Sequence, residues 1–350
     1  MLDKSPVEVR QISADLTFMK AALREARKGL GKTSPNPAVG AVLVIDGRIR
    51  ARGYHARAGA PHAEIECLRQ FGEPVPKRAV LYVTLEPCAT TGRTGPCTKA
   101  ILDAGVRQVV IGATDPNPKQ AGRGIRILKK AGMDVRTGVL ADGCARLNEA
   151  YNKWITTGQP FVIAKCGMTL DGRLTRPGSE PRWITSAASR RRTHQLRAQI
   201  DAILIGANTL RADNPRLTVR GVRGATQPWR IVVSRSTRLP KNAHLFTDRF
   251  ADRTMVCREK NLRTLLRKLG EKEITSLLIE GGGEILGEAL NARLVDKVQI
   301  YLGPMFTGGP VIAFGGNGAG STSEAARLER VEYEQIGNDI CVTGYPVFSS

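Results

Sequence analysis

The strongest constraint on the fold is an alternation. Short aliphatic runs recur along the chain, and the segments between them carry apolar residues at helical spacing. Residues 15–30, "DLTFMKAALREARKGL", read as a helix with Asp15 as its N-cap. "NPAVGAVLVIDGRIRARGYH" (36–55) reads as a hairpin turning at Asp46-Gly47. "PHAEIECLRQF" (61–71) is a helix with Pro61 in its first turn. "AVLYVTLEPC" (79–88) is a strand entering a loop, and "CTKAILDAG" (97–105) a short helix stopped by Gly105. "QVVIGATDPNP" (108–118) and "GIRILKKAGMDVRTGVL" (124–140) continue the pattern. Strands alternating with helices mean an α/β layered fold with helices on the faces of a sheet.

With 350 residues and roughly 150 per domain, two domains are expected. The rhythm breaks at "ARLNEAYNKWITTGQP" (145–160), so the boundary falls near residue 155, dividing 1–155 from 156–350. The second part opens on the strand "FVIAKCGMTLDGR" and alternates again through "AILIG", "WRIVVS" and "SLLIEGGGEILGEALNARLVDKVQIYLGP".

No apolar run reaches the ~18–20 residues of a membrane span, and the N-terminal stretch mixes both charges without an apolar signal core. We expect a cytoplasmic protein with no membrane partner. Seven cysteines in so long a chain fit reduced thiols better than a disulfide framework. The net charge of +21 is spread over both parts and favours anionic partners, either phosphorylated metabolites or nucleic acid, although most of it suits a solvated face. Only 5% of residues are aromatic, which argues against a surface built to stack unpaired bases.

The chain has four histidines, and one of them begins an ordered series: His62-Ala63-Glu64, then Pro87-Cys88, then Cys97. Zinc takes nitrogen and thiolate ligands tetrahedrally, and a catalytic zinc keeps three protein ligands and one open position. His62, Cys88 and Cys97 form such a set, with Glu64 left to carry protons. These are the parts needed for hydrolytic deamination of an aminated ring carbon. The series matches the His-x-Glu…Pro-Cys pattern of the zinc nucleoside and nucleobase deaminases.

The eight residues between Cys88 and Cys97 narrow the match. "EPCATTGRTGPC" resembles the deaminase half of the bifunctional riboflavin-biosynthesis deaminase/reductase family. "TSPNPAVGAVLV", "GYHARAGAPHAE", "DPNPKQAGRGI", "MTLDGR", "WITS", "RADNPRLTVR" and "IEGGGEILG" resemble segments of that family in the same order, so the likeness spans almost the whole chain. It implies an N-terminal cytidine-deaminase-like three-layer α/β domain and a C-terminal dihydrofolate-reductase-like domain. It further implies one Zn2+ per deaminase domain, NADPH in the reductase domain, a phosphorylated pyrimidine substrate and a homodimer. By position it puts Asn36, His55, Arg93, Asp115 and Asn117 on the deaminase substrate. Asn36 and Asn117 each precede a proline, so turn chemistry also accounts for them. Thr90 stands where the family usually has a histidine, and Gly95 where it has a proline.

The second part lacks a Gly-x-Gly-x-x-Gly after its first strand, which excludes a Rossmann fingerprint there. Gly281–Gly283, between a strand and a helix, instead form a turn that suits an anion. The resemblance places Met168, Trp183, Thr209, Asp213 and the run Gly282, Gly283, Glu284, Ile285, Leu286, Gly287, Glu288 around the cofactor. It places Pro181, Arg197, Leu217, Arg220 and Glu280 at the reductase substrate. Guanidinium groups bind phosphate through paired hydrogen bonds, which suits Arg197 and Arg220. Lys165 is a charge inside an apolar strand, and an unpaired buried charge is costly, so it is expected to face the reductase site, paired with Glu280 or a phosphate. "VVSRS" (232–236) departs from the family by bringing in Arg235.

Two other readings compete. A nucleic-acid base deaminase with a basic accessory domain would have a short gap between its metal cysteines. A zinc-stabilised binding protein would use four ligands and leave Glu64 without a purpose.

Overall fold

The computed structural model describes residues 6–90, 95–174, 183–234, 238–259 and 261–348. The chain forms two compact units, Met1–Thr157 and Gly158–Ser350.

In the first unit the order is α1 (Pro6–Arg27), β1 (Gly40–Ile45), β2 (Arg48–Tyr54), α2 (Ala63–Phe71), β3 (Val80–Leu85), α3 (Cys97–Asp103), β4 (Gln108–Ala113), α4 (Arg123–Lys130), β5 (Asp134–Thr137), α5 (Ala141–Leu147) and α6 (Glu149–Thr157). The sheet runs β2-β1-β3-β4-β5. β1 is antiparallel to β2 and β3, and the β3-β4-β5 part is parallel. Alternation along the strands gives the sheet two buried faces. Val42, Val44, Tyr82 and Val110 pack with Met19, Ala22 and Leu23 of α1 and with Cys144 of α5. Leu43, Leu81, Val83, Val109 and Ile111 pack with Ala63 and Cys67 of α2, Ile101 of α3 and Leu128 of α4. The result is a three-layer αβα sandwich.

The β1–β2 turn has positive φ at both Asp46 (51°) and Gly47 (70°), as a two-residue hairpin turn requires. Two sequence expectations are corrected. Asp15 is not an N-cap: α1 starts at Pro6, and the Asp15 carboxylate lies buried in mid-helix. It accepts from the Tyr82 hydroxyl (2.8 Å), Gln11 (2.9 Å) and Arg136 (3.3 Å). Those distant partners overrule the local capping preference. Pro61 is not in the first turn of α2 either, because His62 is the N-cap and the helix starts at Ala63.

In the second unit the order is β6 (Phe161–Thr169), α7 (Ala187–Arg197), β7 (Ala202–Gly206), α8 (Ala207–Asp213), β8 (Trp229–Val233), α9 (His244–Thr247), β9 (Thr254–Cys257), α10 (Leu262–Gly270), β10 (Ser276–Ile279), α11 (Gly283–Asn291), β11 (Lys297–Gly303), β12 (Arg327–Ile336) and β13 (Asp339–Val347). The sheet runs β12-β13-β11-β6-β10-β7-β8-β9, parallel from β11 to β9, with the antiparallel hairpin β12–β13 at one edge. Val162, Ala164, Leu204, Ile231, Leu277 and Ile279 face α10 and α11. Open parallel sheets present ligands at the carboxyl ends of their strands. Gly206, Ser234 and Glu280, each at or just past such an end, line one cleft.

Candidate active sites

In the first unit, His62 caps α2, Cys97 opens α3, and Cys88 follows the end of β3. α2 can lie close to β2 because Gly53 lacks a side chain; a Cβ there would collide with the Ala63 carbonyl and the Cys67 amide. His62 Nδ1 is 3.1 Å from Cys97 Sγ and 3.6 Å from Cys88 Sγ, and the three ligand atoms all lie within 4.8 Å of one another. Tetrahedral zinc with nitrogen and sulfur ligands spaces those atoms about 3.5–3.8 Å apart; the donor set fits that ion, the His62–Cys88 spacing falls in that range, and the His62–Cys97 spacing is shorter. Among the described residues no other His, Cys, Asp or Glu group converges in this way.

The thiols are electrically unequal. The hydrogen bond between them lowers the Cys88 thiol and raises that of Cys97. The Cys97 backbone N–H donates to the Cys88 sulfur (3.3 Å) and adds to that lowering. His62 is raised, chiefly by its hydrogen bond with Cys88. Glu64, in the first turn of α2, is 3% exposed. Burial pushes its carboxyl up to about 7, against the opposing pull of His62, and it shares a hydrogen bond with Cys97. A carboxyl that gains and loses its proton near neutrality beside a metal-ligand set suits a proton carrier.

Around this centre lie several residues singled out from the sequence. Asn36 Nδ2 is 3.2 Å from His55 Nε2, and His55 Nδ1 is 3.1 Å from the Pro61 carbonyl. The His55 ring meets the His62 ring edge-on at 5.2 Å, and burial lowers its pKa. Asp115 is buried, which raises its pKa; it accepts from the Asn117 amide (2.9 Å) and the Tyr151 hydroxyl (3.2 Å). The Asn117 side chain accepts from the Lys119 amide (3.0 Å), the turn role its Asn-Pro sequence foretells. Arg93 lies outside the described residues.

The second unit holds a cleft of ≈ 1360 Å³. Trp183, Thr209, Asp213, Gly282, Gly283, Glu284, Ile285, Leu286 and Glu288 are on its walls, as are Lys165, Arg197, Arg220 and Glu280. Met168, Leu217 and Gly287 are not. Met168 packs on the core cluster, Leu217 is buried with φ of 51°, and Gly287 turns toward the Gly315 carbonyl. Pro181 and Arg235 lie outside the described residues.

At the floor, Arg197 grips Glu280 with two bonds, Nε to Oε1 (2.5 Å) and Nη2 to Oε2 (2.7 Å), and donates to the Thr218 carbonyl (3.1 Å). Much of its donor capacity is therefore spent inside the protein. Arg220 is the more open guanidinium, with a long contact to the Thr218 hydroxyl (3.4 Å). Lys165 lies over the Tyr301 ring at 5.5 Å; burial lowers its pKa and the Glu280 charge opposes that. Arg197 and Lys165 hold Glu280 below its ordinary range despite its burial. Trp183 is 54% exposed with the Arg190 guanidinium 4.5 Å above its ring, so it is not a core anchor. The Gly282 N–H donates to the Thr209 hydroxyl (2.8 Å), and a Cβ on Gly282 would come within 3.1 Å of that oxygen. The Gly-rich turn thus leaves room for close approach, with the N-terminus of α11 behind it.

Sequence reasoning missed several residues. Tyr151 holds Asp115, and Asn148 pairs both with the Ala38 N–H (2.8 Å) and with its carbonyl (3.0 Å), fixing the segment that carries Asn36. His194 accepts the Arg220 N–H (3.2 Å), and burial brings its pKa down to about 4, with Arg197 and Arg220 adding to the effect. None of these sits in a spacing pattern that local reading detects.

A His-Cys-Cys set beside a buried glutamate, on an αβα sandwich, defines a hydrolytic deaminase of the zinc-binding class; the cleft unit accompanies it in the same chain. The family model for the cytidine and deoxycytidylate deaminase zinc-binding region matches residues 12–113, and that for the RibD C-terminal domain matches residues 160–342. The riboflavin biosynthesis protein RibD of Synechocystis is 40% identical over 357 residues, covering 95% of this chain and 96% of its own. That of Aquifex aeolicus is 37% identical over 354 residues, covering 95% and 98%. The Acinetobacter baumannii RibD structure superposes with a TM-score of 0.88 at 34% identity, covering 96% of this chain and 99% of its own. The Thermotoga maritima diaminohydroxyphosphoribosylaminopyrimidine deaminase/5-amino-6-(5-phosphoribosylamino)uracil reductase gives 0.86 at 32%, covering 96% and 100%. The chain belongs to the RibD family of bifunctional riboflavin-biosynthesis enzymes, with a deaminase domain followed by a reductase domain. The reading as a nucleic-acid base deaminase is set aside, since the RibD C-terminal model accounts for the second unit.

Proposed function

We propose that the first unit, about residues 1–155, deaminates 2,5-diamino-6-ribosylamino-4(3H)-pyrimidinone 5′-phosphate. The second, about 156–350, then reduces the ribosyl side chain with NADPH to give 5-amino-6-(5-phosphoribitylamino)uracil. The observation that carries the reading is the convergence of His62, Cys88 and Cys97 beside buried Glu64. His62 Nδ1 and the two sulfurs would hold one Zn2+. When bound, zinc supplies Lewis acidity that brings water deprotonation into the neutral range. Glu64 takes a proton from the attacking water and hands it to the departing amine, so that a C–O bond forms, the C–N bond breaks and ammonia leaves. Asn36, His55, Arg93, Asp115 and Asn117 bind and orient the pyrimidine and its phosphate.

In the reductase unit, NADPH supplies hydride when bound. The Gly281–Gly283 turn, Thr209, Asp213, Trp183 and the cleft-lining part of the run from Gly282 to Glu288 receive the cofactor, with Met168 and Gly287 packed behind that wall. Arg220 takes the substrate phosphate and Pro181 flanks the substrate, while buried Leu217 backs the Thr218 carbonyl that holds Arg197. Arg197 aligns Glu280 and Lys165 toward the ribosyl group. We further read the enzyme as a cytoplasmic homodimer acting on a small phosphorylated substrate, without nucleic acid or membrane as partner. In support, no helix among the described residues is long and apolar enough to cross a membrane.

The test follows ammonia release and NADPH oxidation together on the purified, zinc-loaded protein given the diamino-pyrimidinone phosphate. The reading expects ammonia first and NADPH oxidation after it. A zinc-loaded sample that releases no ammonia would refute it.

A further inference from the structure

We propose that Glu86 is a positioning residue for deamination, fixing the 114–122 loop, and Asp115 with it, against the strand end that leads to Cys88. The inference rests on the assignment of Asp115 to the deaminase substrate. Glu86 follows β3 and is 4% exposed. Its backbone N–H donates to the Ala113 carbonyl (2.9 Å) at the end of the neighbouring parallel strand β4. Its side chain then takes hold of both ends of the loop that follows β4. Oε2 accepts from the Asp115 N–H (3.2 Å) and from the Gly122 N–H (2.9 Å), and Oε1 accepts from the Ile125 N–H (3.2 Å).

Two of these bonds replace a helix cap. The α4 N-cap is Gly122, which has no side chain to offer, and Ile125 is in the first turn. Orphan first-turn N–H groups need an acceptor, and a carboxylate is favoured at that end of a helix. The third bond does something a cap does not: it reaches back across the loop to Asp115. The Asp115 carboxyl lies within electrostatic reach of Cys88 and is held by Tyr151 and by the Asn117 amide. Its orientation follows the backbone that Glu86 fixes.

The two loops are also in close contact beyond the carboxylate. A Cβ on Gly124 would collide with the Pro87 carbonyl. The Gln120 side chain bridges them, accepting from the Ala89 N–H (3.3 Å) and donating to the Thr90 hydroxyl. Pro87, Ala89 and Thr90 flank the metal-ligand position Cys88. The segment that presents Cys88 and the segment that presents Asp115 are thereby tied, with Glu86 as the principal tie.

Glu86→Ala, Glu86→Gln and Asp115→Ala in the full-length, zinc-loaded enzyme test this by zinc content, deamination kcat and KM, and NADPH oxidation on the deaminated substrate. Loss of hydrogen bonds to a carboxylate predicts a KM roughly tenfold higher in Glu86→Ala, with zinc retained and kcat changed much less. Glu86→Gln keeps one acceptor oxygen and falls between. A purely structural role would lower activity in step with folded or zinc-loaded protein and leave KM alone; that result overturns the proposal. If Glu86→Ala fails to fold, Glu86→Gln and Gln120→Ala carry the test, and wild-type KM in both overturns it. A raised KM in Asp115→Ala with wild-type KM in the Glu86 variants refutes Glu86 positioning alone. Wild-type KM in Asp115→Ala removes the substrate assignment beneath it.

Discussion

The two sites solve different problems. In the deaminase unit three ligand atoms gather within 4.8 Å, and proton affinities move around them: the Cys97 hydrogen bond lowers Cys88, and burial pushes Glu64 up to about 7. In the reductase unit a cleft of ≈ 1360 Å³ is built over one buried ion pair, Arg197–Glu280, with Lys165 nearby. The first is chemistry concentrated in a few side chains. The second is a shaped surface whose charged floor is held by internal pairing. One substitution should therefore silence the first site without unfolding it, whereas the second should answer to substitutions that disturb its frame.

The largest expected effect is at Glu64. Glu64→Gln should reduce deamination roughly 10²–10⁴-fold while zinc content and NADPH oxidation on deaminated substrate stay at wild type. Metal loss in that variant would show that Glu64 builds the site rather than serving it. Next comes Arg197→Ala. The pair it breaks is 12% and 6% exposed, and stranding one member of such a pair costs about 3–5 kcal/mol, measured by denaturant unfolding of the reductase unit. Lys165 remains to offset part of the Glu280 charge, so the low end is expected, with reduction impaired and deamination intact.

Gly287→Ala should cost about 1–3 kcal/mol by overpacking, because its Cβ would run into the Gly315 carbonyl. Calorimetry should show the loss in the reductase unit alone. The smallest effect is a pH dependence. His194 is neutral down to about 4 in the folded protein, against 6.5 ordinarily. Between those values the unfolded chain binds more protons, so stability falls as pH drops from 6.5 toward 4. His194→Asn should shrink that acid limb in unfolding titrations; an unchanged limb would assign it to other groups.

What the sequence revealed follows the same division. The zinc-ligand candidates could be singled out because His and Cys are scarce in this chain and each stood at a helix or strand edge. The hairpin at Asp46-Gly47 was legible because few residues adopt positive φ. Asp15 was misread because its partners, Tyr82 and Arg136, are far along the chain. Glu86 and Tyr151 stayed hidden for the same reason: they act through hydrogen bonds across long separations. Arg197 suited a phosphate by its chemistry, and only the fold brings Glu280 against it. The Gly281–Gly283 turn was readable, but the Thr209 hydroxyl that takes the Gly282 N–H was not.

Metal removal tests the division most directly. The zinc-loaded enzyme is stripped with a chelator, and ammonia release from the diamino-pyrimidinone phosphate and NADPH oxidation on the deaminated substrate are measured on the same sample. The account predicts that ammonia release disappears and returns with added zinc, while NADPH oxidation persists throughout. Loss of both activities together, or ammonia release that survives complete removal of the metal, would contradict it.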